Sequence, residues 1–376
     1  MNADVEAITD SVRRFTLERI APHVQAWEDA GEVPLSLHRE AAALGLLGLG
    51  YPEHLGGTPA PYALRHAMSV AMARHGGSGG VMAALFSHNI GLPPVLRHGS
   101  DALQREVVPP VLSGEKIAAL AISEPGGGSD VAALRTRARR DGDQFVIDGE
   151  KTFITSGVRA DWITVAARTD DQRISLIVVP GDARGLERTR LAKMGWHASD
   201  TAHLRFDGVR VPARYLVGKE GAGFRMVMNN FNGERLAMSA MALGFAQACF
   251  DEALAWARER RTFGSPLSEK PVIRHKLVDM QTRIHATHAW LDAVTALADD
   301  GKLESDPHCV AQVCTLKNFS TQAMQFCADA AVQILGGMGY MRGTKSERIY
   351  REVKVMMIGG GAEEVMKDLA ARQWGL

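Results

Sequence analysis

The chain has 376 residues, 46% of them hydrophobic, which suffices for roughly two or three domains with cores of their own. Lys plus Arg and Asp plus Glu both number 43, so no overall charge favours nucleic acid or an anionic membrane, and only a local basic patch stays open. No apolar run reaches the length of a membrane span, and Met1 to Ile20 carries Asp4, Glu6 and Asp10 where a secretory leader needs a basic start and an apolar centre, so a cytoplasmic protein is expected.

From Val5 to about Glu115 the pattern is helical. It includes Val5 to Ile20, Leu35 to Leu47 and Ala67 to Ala73, with breaks at Pro22, Pro34, Pro52 and Pro93-Pro94. Between Ile117 and Leu216 the texture changes to short alternating runs: Gln144 to Ile147, Trp162 to Ala166, Ile174 to Val179 and His203 to Phe206. Asp-Gly and Pro-Gly turns separate them. From Gly223 onward helical spacing returns, through Phe224, Met228 and Phe231, then Leu236 to Trp256, Val272 to Leu297 and Val310 to Leu335. The expected fold class is α+β: an N-terminal α-helical domain (residues 1–116), a middle β-barrel or sandwich domain (117–220) and a C-terminal four-helix bundle (221–376). The regular alternation of strand and helix that a doubly wound nucleotide-binding sheet needs is absent. Cys249, Cys309, Cys314 and Cys327 lack the paired spacing of a zinc site, fall in predicted helices and are expected to be reduced core residues.

The strongest chemical signal lies between Ala121 and Gly157, where the loop Ser123-Glu-Pro-Gly-Gly-Gly-Ser-Asp130 precedes a strand ending Lys151-Thr-Phe-Ile-Thr-Ser-Gly157. Gly126, Gly127 and Gly128 let backbone amides approach a ligand, Ser123, Ser129 and Thr155 offer hydroxyls, and Phe153 offers a ring face for an isoalloxazine. Each segment alone also reads as an ordinary turn or strand. In this order the two resemble the acyl-CoA dehydrogenase family, whose middle domain carries a similar Glu-Pro-Gly-x-Gly-Ser-Asp loop and a Lys-x-aromatic-Ile-Thr strand. The resemblance extends over nearly the whole chain.

It implies the order α, β, α, FAD as cofactor, an acyl-CoA thioester as substrate, an electron-transfer flavoprotein as acceptor, and a homotetramer or dimer. In many members the catalytic glutamate lies in a C-terminal Tyr-Glu-Gly-Thr motif. Here Ile358-Gly-Gly-Gly-Ala362 stands there, with Gly360 at the glutamate position. In the isovaleryl-CoA and long-chain branches the base comes instead from the helix position matching Glu234, within Asn232-Gly-Glu-Arg235, and this chain has that second arrangement. By position alone Glu234 also fits a solvated first-turn carboxylate. Two carboxylates aimed at one carbon would repel, so a glycine at 360 suits a base at 234 by vacating space for it. Glu363 and Glu364 are expected to lie beyond the reactive position, toward the cofactor.

The implied cofactor contacts are Ile122, Ser123, Gly128, Ser129, Phe153, Ile154, Thr155, Arg260, Phe263, Gln333, Gly336, Gly337, Ala362 and Glu364. The implied substrate contacts are Ser129, Asn232, Arg235, Gly360 and Gly361. Arg260, in Arg-Arg-Thr-Phe-Gly264, matches the arginine that reaches the FAD diphosphate of a neighbouring subunit, where a guanidinium suits phosphate. Gln333-Ile-Leu-Gly-Gly-Met-Gly-Tyr340 matches the turn beside the adenosine portion, though as a bare string it also reads as a helix C-cap. Met194-Gly-Trp196 and Phe206 to Pro212 resemble the segment leaving the β domain. Two positions depart from the family: Pro271 stands for a glutamine that touches FAD, and Ala362 for a threonine. Same-fold alternatives are an oxidase, a monooxygenase-like relative or an enoyl-CoA reductase, and a catalytically silent FAD- or acyl-CoA-binding protein is the rival from another class.

Three motifs are set aside. Gly76-Gly-Ser-Gly-Gly80 follows a helix where a nucleophile elbow needs a strand. His285 and His288 lack the glutamate spacing of a di-iron bundle and read as a polar helix face. Gly337-Met-Gly339 has Arg342 where a dinucleotide loop needs glycine, so NAD is not expected.

Overall fold

The structure is a computed structural model that describes residues 3–170 and 173–376. In chain order the helices begin with α1 (Ala3–Phe15), α2 (Val24–Ala30), α3 (Leu35–Ala43), α4 (Tyr62–Gly76), α5 (Gly79–Phe86), α6 (His88–Gly91), α7 (Pro93–His98) and α8 (Asp101–Leu112). The strands are β1 (Ala118–Ala121), β2 (Arg137–Asp141), β3 (Gln144–Thr155), β4 (Trp162–Arg168), β5 (Ile174–Pro180), β6 (Leu186–Arg190), β7 (Thr201–Pro212) and β8 (Leu216–Val217). Then come α9 (Gly223–Glu259), a hairpin of β9 (Arg261–Thr262) and β10 (Ser265–Pro266), α10 (Pro271–Asp299), α11 (Pro307–Leu335), α12 (Gly337–Tyr340), α13 (Lys345–Ile358) and α14 (Glu363–Trp374).

These elements form two compact units, each assembled from separated stretches of chain. The sheet unit comprises Trp27–Pro59 and Ala83–Phe231; the helical unit comprises Met1–Ala26, Ala60–Met82 and Asn232–Leu376.

In the sheet unit eight strands form one mixed sheet, in the order β6-β7-β3-β2-β4-β5-β8 with β1 beside β4. β4 runs parallel to β1, with Ala118 opposite Trp162, and antiparallel to β5, with Trp162 opposite Pro180. β4 and β5 are buried from Trp162 to Ala167 and from Ile174 to Val179. The alternating texture expected from the sequence therefore holds on β7 but gives way at the middle of the sheet, where both faces are covered. Leu92 between α6 and α7, Val95 on α7, and Val107, Val108 and Val111 on α8 share one core with the strand residues.

In the helical unit α11 packs against α10, α13 and α14, while α4 packs against α1 and α10. Of the helix α11, 17 residues are buried, among them Val313, Leu316, Met324 and Ile334, so it forms the centre of this unit. The helix predicted over Val5 to Ile20 closes with a π turn at Thr16–Ile20, where Thr16 is fully buried. All four cysteines are free and buried, as expected. Ser78 follows α4, as the sequence suggested, and its hydroxyl accepts from Val81 N (3.2 Å), capping α5.

Candidate active site

The loop after β1 is fastened to β3 by a buried ion pair. The Glu124 carboxylate accepts from Lys151 Nζ (2.8 Å) and from the backbone amides of Arg135 (2.6 Å) and Thr136 (2.8 Å). Lys151 Nζ also donates to Ile122 O (2.9 Å), and Thr152 N donates to Ser123 O (2.9 Å). Burial pushes the Glu124 carboxyl up, but the Lys151 and Thr136 hydrogen bonds outweigh it and hold the group below its ordinary value. Burial likewise lowers the Lys151 ammonium, to about 8, against the pull of Glu124. Taking away one partner of such a pair typically costs about 3–5 kcal/mol, because the other charge is stranded.

That clamp fixes the backbone just before Phe153, and pairing of Ile154 with Ala202 on β7 fixes it just after. Phe153 has φ 61°, a left-handed conformation that costs a non-glycine residue about 1–3 kcal/mol, and its side chain is 72% exposed. It sits where the β3–β7 register shifts between Lys151 and Ile154, so a bulge turns the ring out of the sheet. Gly126 and Gly127 would meet no protein atom within 4 Å if they carried a Cβ, and neither has a positive φ. Nothing in the fold itself demands glycine there. Bare backbone beside an outward aromatic face fits a flat, polar-edged ligand such as a flavin. Gly128 and Ser129 are exposed, Ser123 and Thr155 half-buried, and Ile122 and Ile154 buried.

In the helical unit a second cluster forms around Glu234 on α9. Glu234 is half-buried, and its Oε2 is shut off from solvent with no hydrogen-bond partner among the described residues. Burial raises its pKa to about 7, against the opposing pull of Arg235 and Lys317. Arg235 is buried one residue on; its guanidinium donates to Gly360 O (2.8 Å) and to Asn232 Oδ1 (3.0 Å), while Asn232 Nδ2 donates to Leu303 O (3.2 Å). The turn between α13 and α14 carries Gly360 at φ 67° and Gly361 at φ 118°, values that favour glycine. A Cβ on Gly360 would lie 3.1 Å from Met238 Sδ and 3.7 Å from Arg235 Cγ, so Met238 already borders the space a side chain at 360 would take.

The remaining predicted contacts stand on the surface of the helical unit. Arg260 is exposed, and Phe263 is 100% exposed at the tip of the β9–β10 hairpin, with φ 49° before Gly264 at φ 84°. A two-residue turn of this kind favours Asn-Gly, so the phenyl ring gains nothing from its own chain. Gln333, Gly336 and Gly337 are exposed where α11 ends. Pro271 opens α10 at its first turn, where proline is well suited. Ala362 is the N-cap of α14 and supplies no side-chain acceptor, which the family's threonine position would. Glu364 is exposed in the first turn of α14, while Glu363 Oε2 accepts from Gln322 Nε2 (2.9 Å). His285 and His288 lie on an exposed face of α10, beside Gln281 (2.8 Å) and Asp292 (3.6 Å).

Sequence reasoning missed Lys317 on α11. Its side chain is fully buried, and Nζ donates to Met357 O (3.0 Å) and Gly361 O (2.8 Å). The signal was available, since Lys317 is the lone Lys, Arg, Asp or Glu between Pro307 and Ala328.

The chain matches the family descriptions "Acyl-CoA dehydrogenase, N-terminal domain" over residues 2–115, "middle domain" over 119–209 and "C-terminal domain" over 221–375. It belongs to the acyl-CoA dehydrogenase family, whose members are flavoprotein oxidoreductases. It is 36% identical to cyclohexane-1-carbonyl-CoA dehydrogenase of Geobacter metallireducens over 98% of this chain and 97% of that protein. It is 32% identical to the mitochondrial long-chain specific acyl-CoA dehydrogenase of Sus scrofa over 99% of this chain and 86% of that one. Among solved structures, a probable acyl-CoA dehydrogenase from Mycobacterium abscessus superimposes with a TM-score of 0.97 at 44% identity, covering 100% of both chains. Among the described residues no helix is long and apolar enough to cross a membrane.

Proposed function

We propose that this chain binds FAD and oxidises an acyl-CoA thioester to the α,β-unsaturated thioester, with Glu234 as the base that takes the α-proton. One observation carries the assignment: Glu234 keeps an unpartnered carboxylate oxygen in a buried position, poised at about 7, beside a turn whose Gly360 holds no competing carboxylate. A base with that poise is half ionised near neutral pH and still basic enough to abstract a proton. Arg235 moderates the charge on Glu234 and ties α9 to the turn through Gly360 O. Bound FAD supplies the two-electron acceptor that takes the hydride from the β carbon. Phe153 offers it a ring face and the Gly126–Gly128 loop offers backbone that no side chain covers, with Ile122, Ser123, Ser129, Ile154 and Thr155 around them.

Arg260 and Phe263, with Gln333, Gly336 and Gly337, would serve the FAD of a second copy, which accounts for an aromatic ring held out on a strained turn. A dimer or tetramer follows from that role, and an electron-transfer flavoprotein is the acceptor in this reading. The test is anaerobic mixing of the FAD-loaded protein with saturated acyl-CoAs from isovaleryl to palmitoyl, followed by absorbance. Bleaching of the flavin band by one of them supports the dehydrogenase. A bound flavin that none of them bleaches overturns it in favour of a reductase or monooxygenase-like role, and failure to hold FAD leaves a silent binding protein.

A further inference from the structure

The buried ammonium of Lys317 has no place in the chemistry described so far. Carrying such a charge out of water costs several kcal/mol, and its acceptors here are two backbone carbonyls, a task that a neutral amide could do. The position of those carbonyls is informative. Met357 O belongs to the last turn of α13, and Gly361 O lies one residue beyond Gly360. Arg235 Nε takes Gly360 O from the α9 side. Cationic donors from α9 and α11 thus gather three carbonyls of a single turn, one that two glycines at positive φ cannot hold rigid by themselves. The amides of Gly360 and Gly361 make no hydrogen bond among the described residues.

On the reading that Glu234 removes the α-proton, on which this role rests, we propose that Lys317 is a positioning residue: through Met357 O and Gly361 O its ammonium holds the Gly360–Gly361 turn at the reacting thioester. The charged groups that bear on it are Glu234 and Arg235 from α9 and Glu363 at the start of α14, with the Cys314 thiol on its own helix. On α13, Lys354 Nζ reaches Met357 Sδ (3.6 Å). Burial lowers the Lys317 ammonium to about 8, with Glu363 and Glu234 opposing, so the clamp loses its charge and weakens as pH rises through that value.

The test compares the FAD-loaded parent with Lys317→Met and Lys317→Arg. In Lys317→Met the rate of anaerobic flavin reduction falls about a hundredfold, while acyl-CoA affinity, read from the perturbed flavin spectrum, changes by less than about threefold. In the FAD-free protein, amide hydrogen exchange of residues 355–359, the hydrogen-bonded end of α13 that carries Met357, accelerates in the same variant, a readout that needs neither flavin nor turnover. The parent rate declines above pH about 8, and in Lys317→Arg that decline moves to higher pH because a guanidinium stays charged. A Lys317→Met variant as fast as the parent overturns the role. Should Lys317→Met fail to fold, a decline unmoved in Lys317→Arg overturns it. A parent whose flavin none of the acyl-CoAs reduces sinks the Glu234 reading instead, and hydrogen exchange then still decides whether Lys317 holds the turn.

Discussion

Glu234 and Lys317 are both buried ionisable groups of one helical unit, and they bear on stability in opposite directions of pH. For Glu234 the folded pKa of about 7 lies above the ordinary 4.5, so the folded state binds more protons between those values and stability is lost as pH rises through that window. At pH 8 the ionised carboxylate therefore costs on the order of 3 kcal/mol. Glu234→Gln is expected to raise the midpoint of chemical denaturation at pH 8 and not at pH 4, while flavin reduction by acyl-CoA falls about a thousandfold or more with FAD still bound. A variant with unchanged reduction rate would remove Glu234 from the chemistry. The sequence singled out Glu234 through the family resemblance and the glycine at 360, and the structure gives it a buried carboxylate oxygen with no partner among the described residues. The Glu124–Lys151 pair was not read as a pair, since its members stand 27 residues apart and only the fold brings them together.

At the scale of elements, long helices were easier to read than strands. The run Leu236 to Trp256 lies inside a helix that begins at Gly223, and Val310 to Leu335 inside one that begins at Pro307. β3 and β7 each extend over 12 residues, yet the sequence shows each in two pieces, Gln144 to Ile147 and the strand ending at Gly157 for β3, His203 to Phe206 and Phe206 to Pro212 for β7. The bulges around Gly149 and Phe153 break the alternation on which strand reading depends. Helix α14 offers a test at its uncapped start. Ala362→Thr should supply the missing acceptor, stabilise the protein by about 1 kcal/mol and tighten FAD binding; unfolding curves and flavin titration would show it, and no gain in stability would mean that the cap is met otherwise. The β9–β10 hairpin offers the converse case. Phe263→Asn relieves a strained turn, so the FAD-free protein should keep or gain thermal stability, whereas FAD affinity should fall at least about tenfold. Undiminished affinity would leave the exposed ring without a cofactor role.

At the scale of the whole molecule the proposed cross-subunit site makes a prediction that no single chain can satisfy. Arg260→Ala and Glu234→Gln should each be inactive alone, but subunits mixed and reassembled from the two should recover activity, because one copy's Glu234 then meets the other copy's Arg260. Activity that stays absent after proven exchange of subunits would place Arg260 in its own chain's site or in none. The division into units has a consequence for how the chain is made. The sheet unit holds all its parts once residue 231 has left the ribosome, whereas residues 3–26 and 60–82 belong with segments that begin at Asn232. The helices α1 and α4, with Val12, Phe15, Met68 and Met72 buried in the finished protein, can pack on each other but wait without α10 and the rest of their unit while residues 232–376 are synthesised. During that interval the nascent protein carries helices whose apolar faces are only partly covered, and a messenger truncated after residue 231 would yield a product that needs a chaperone to stay dispersed.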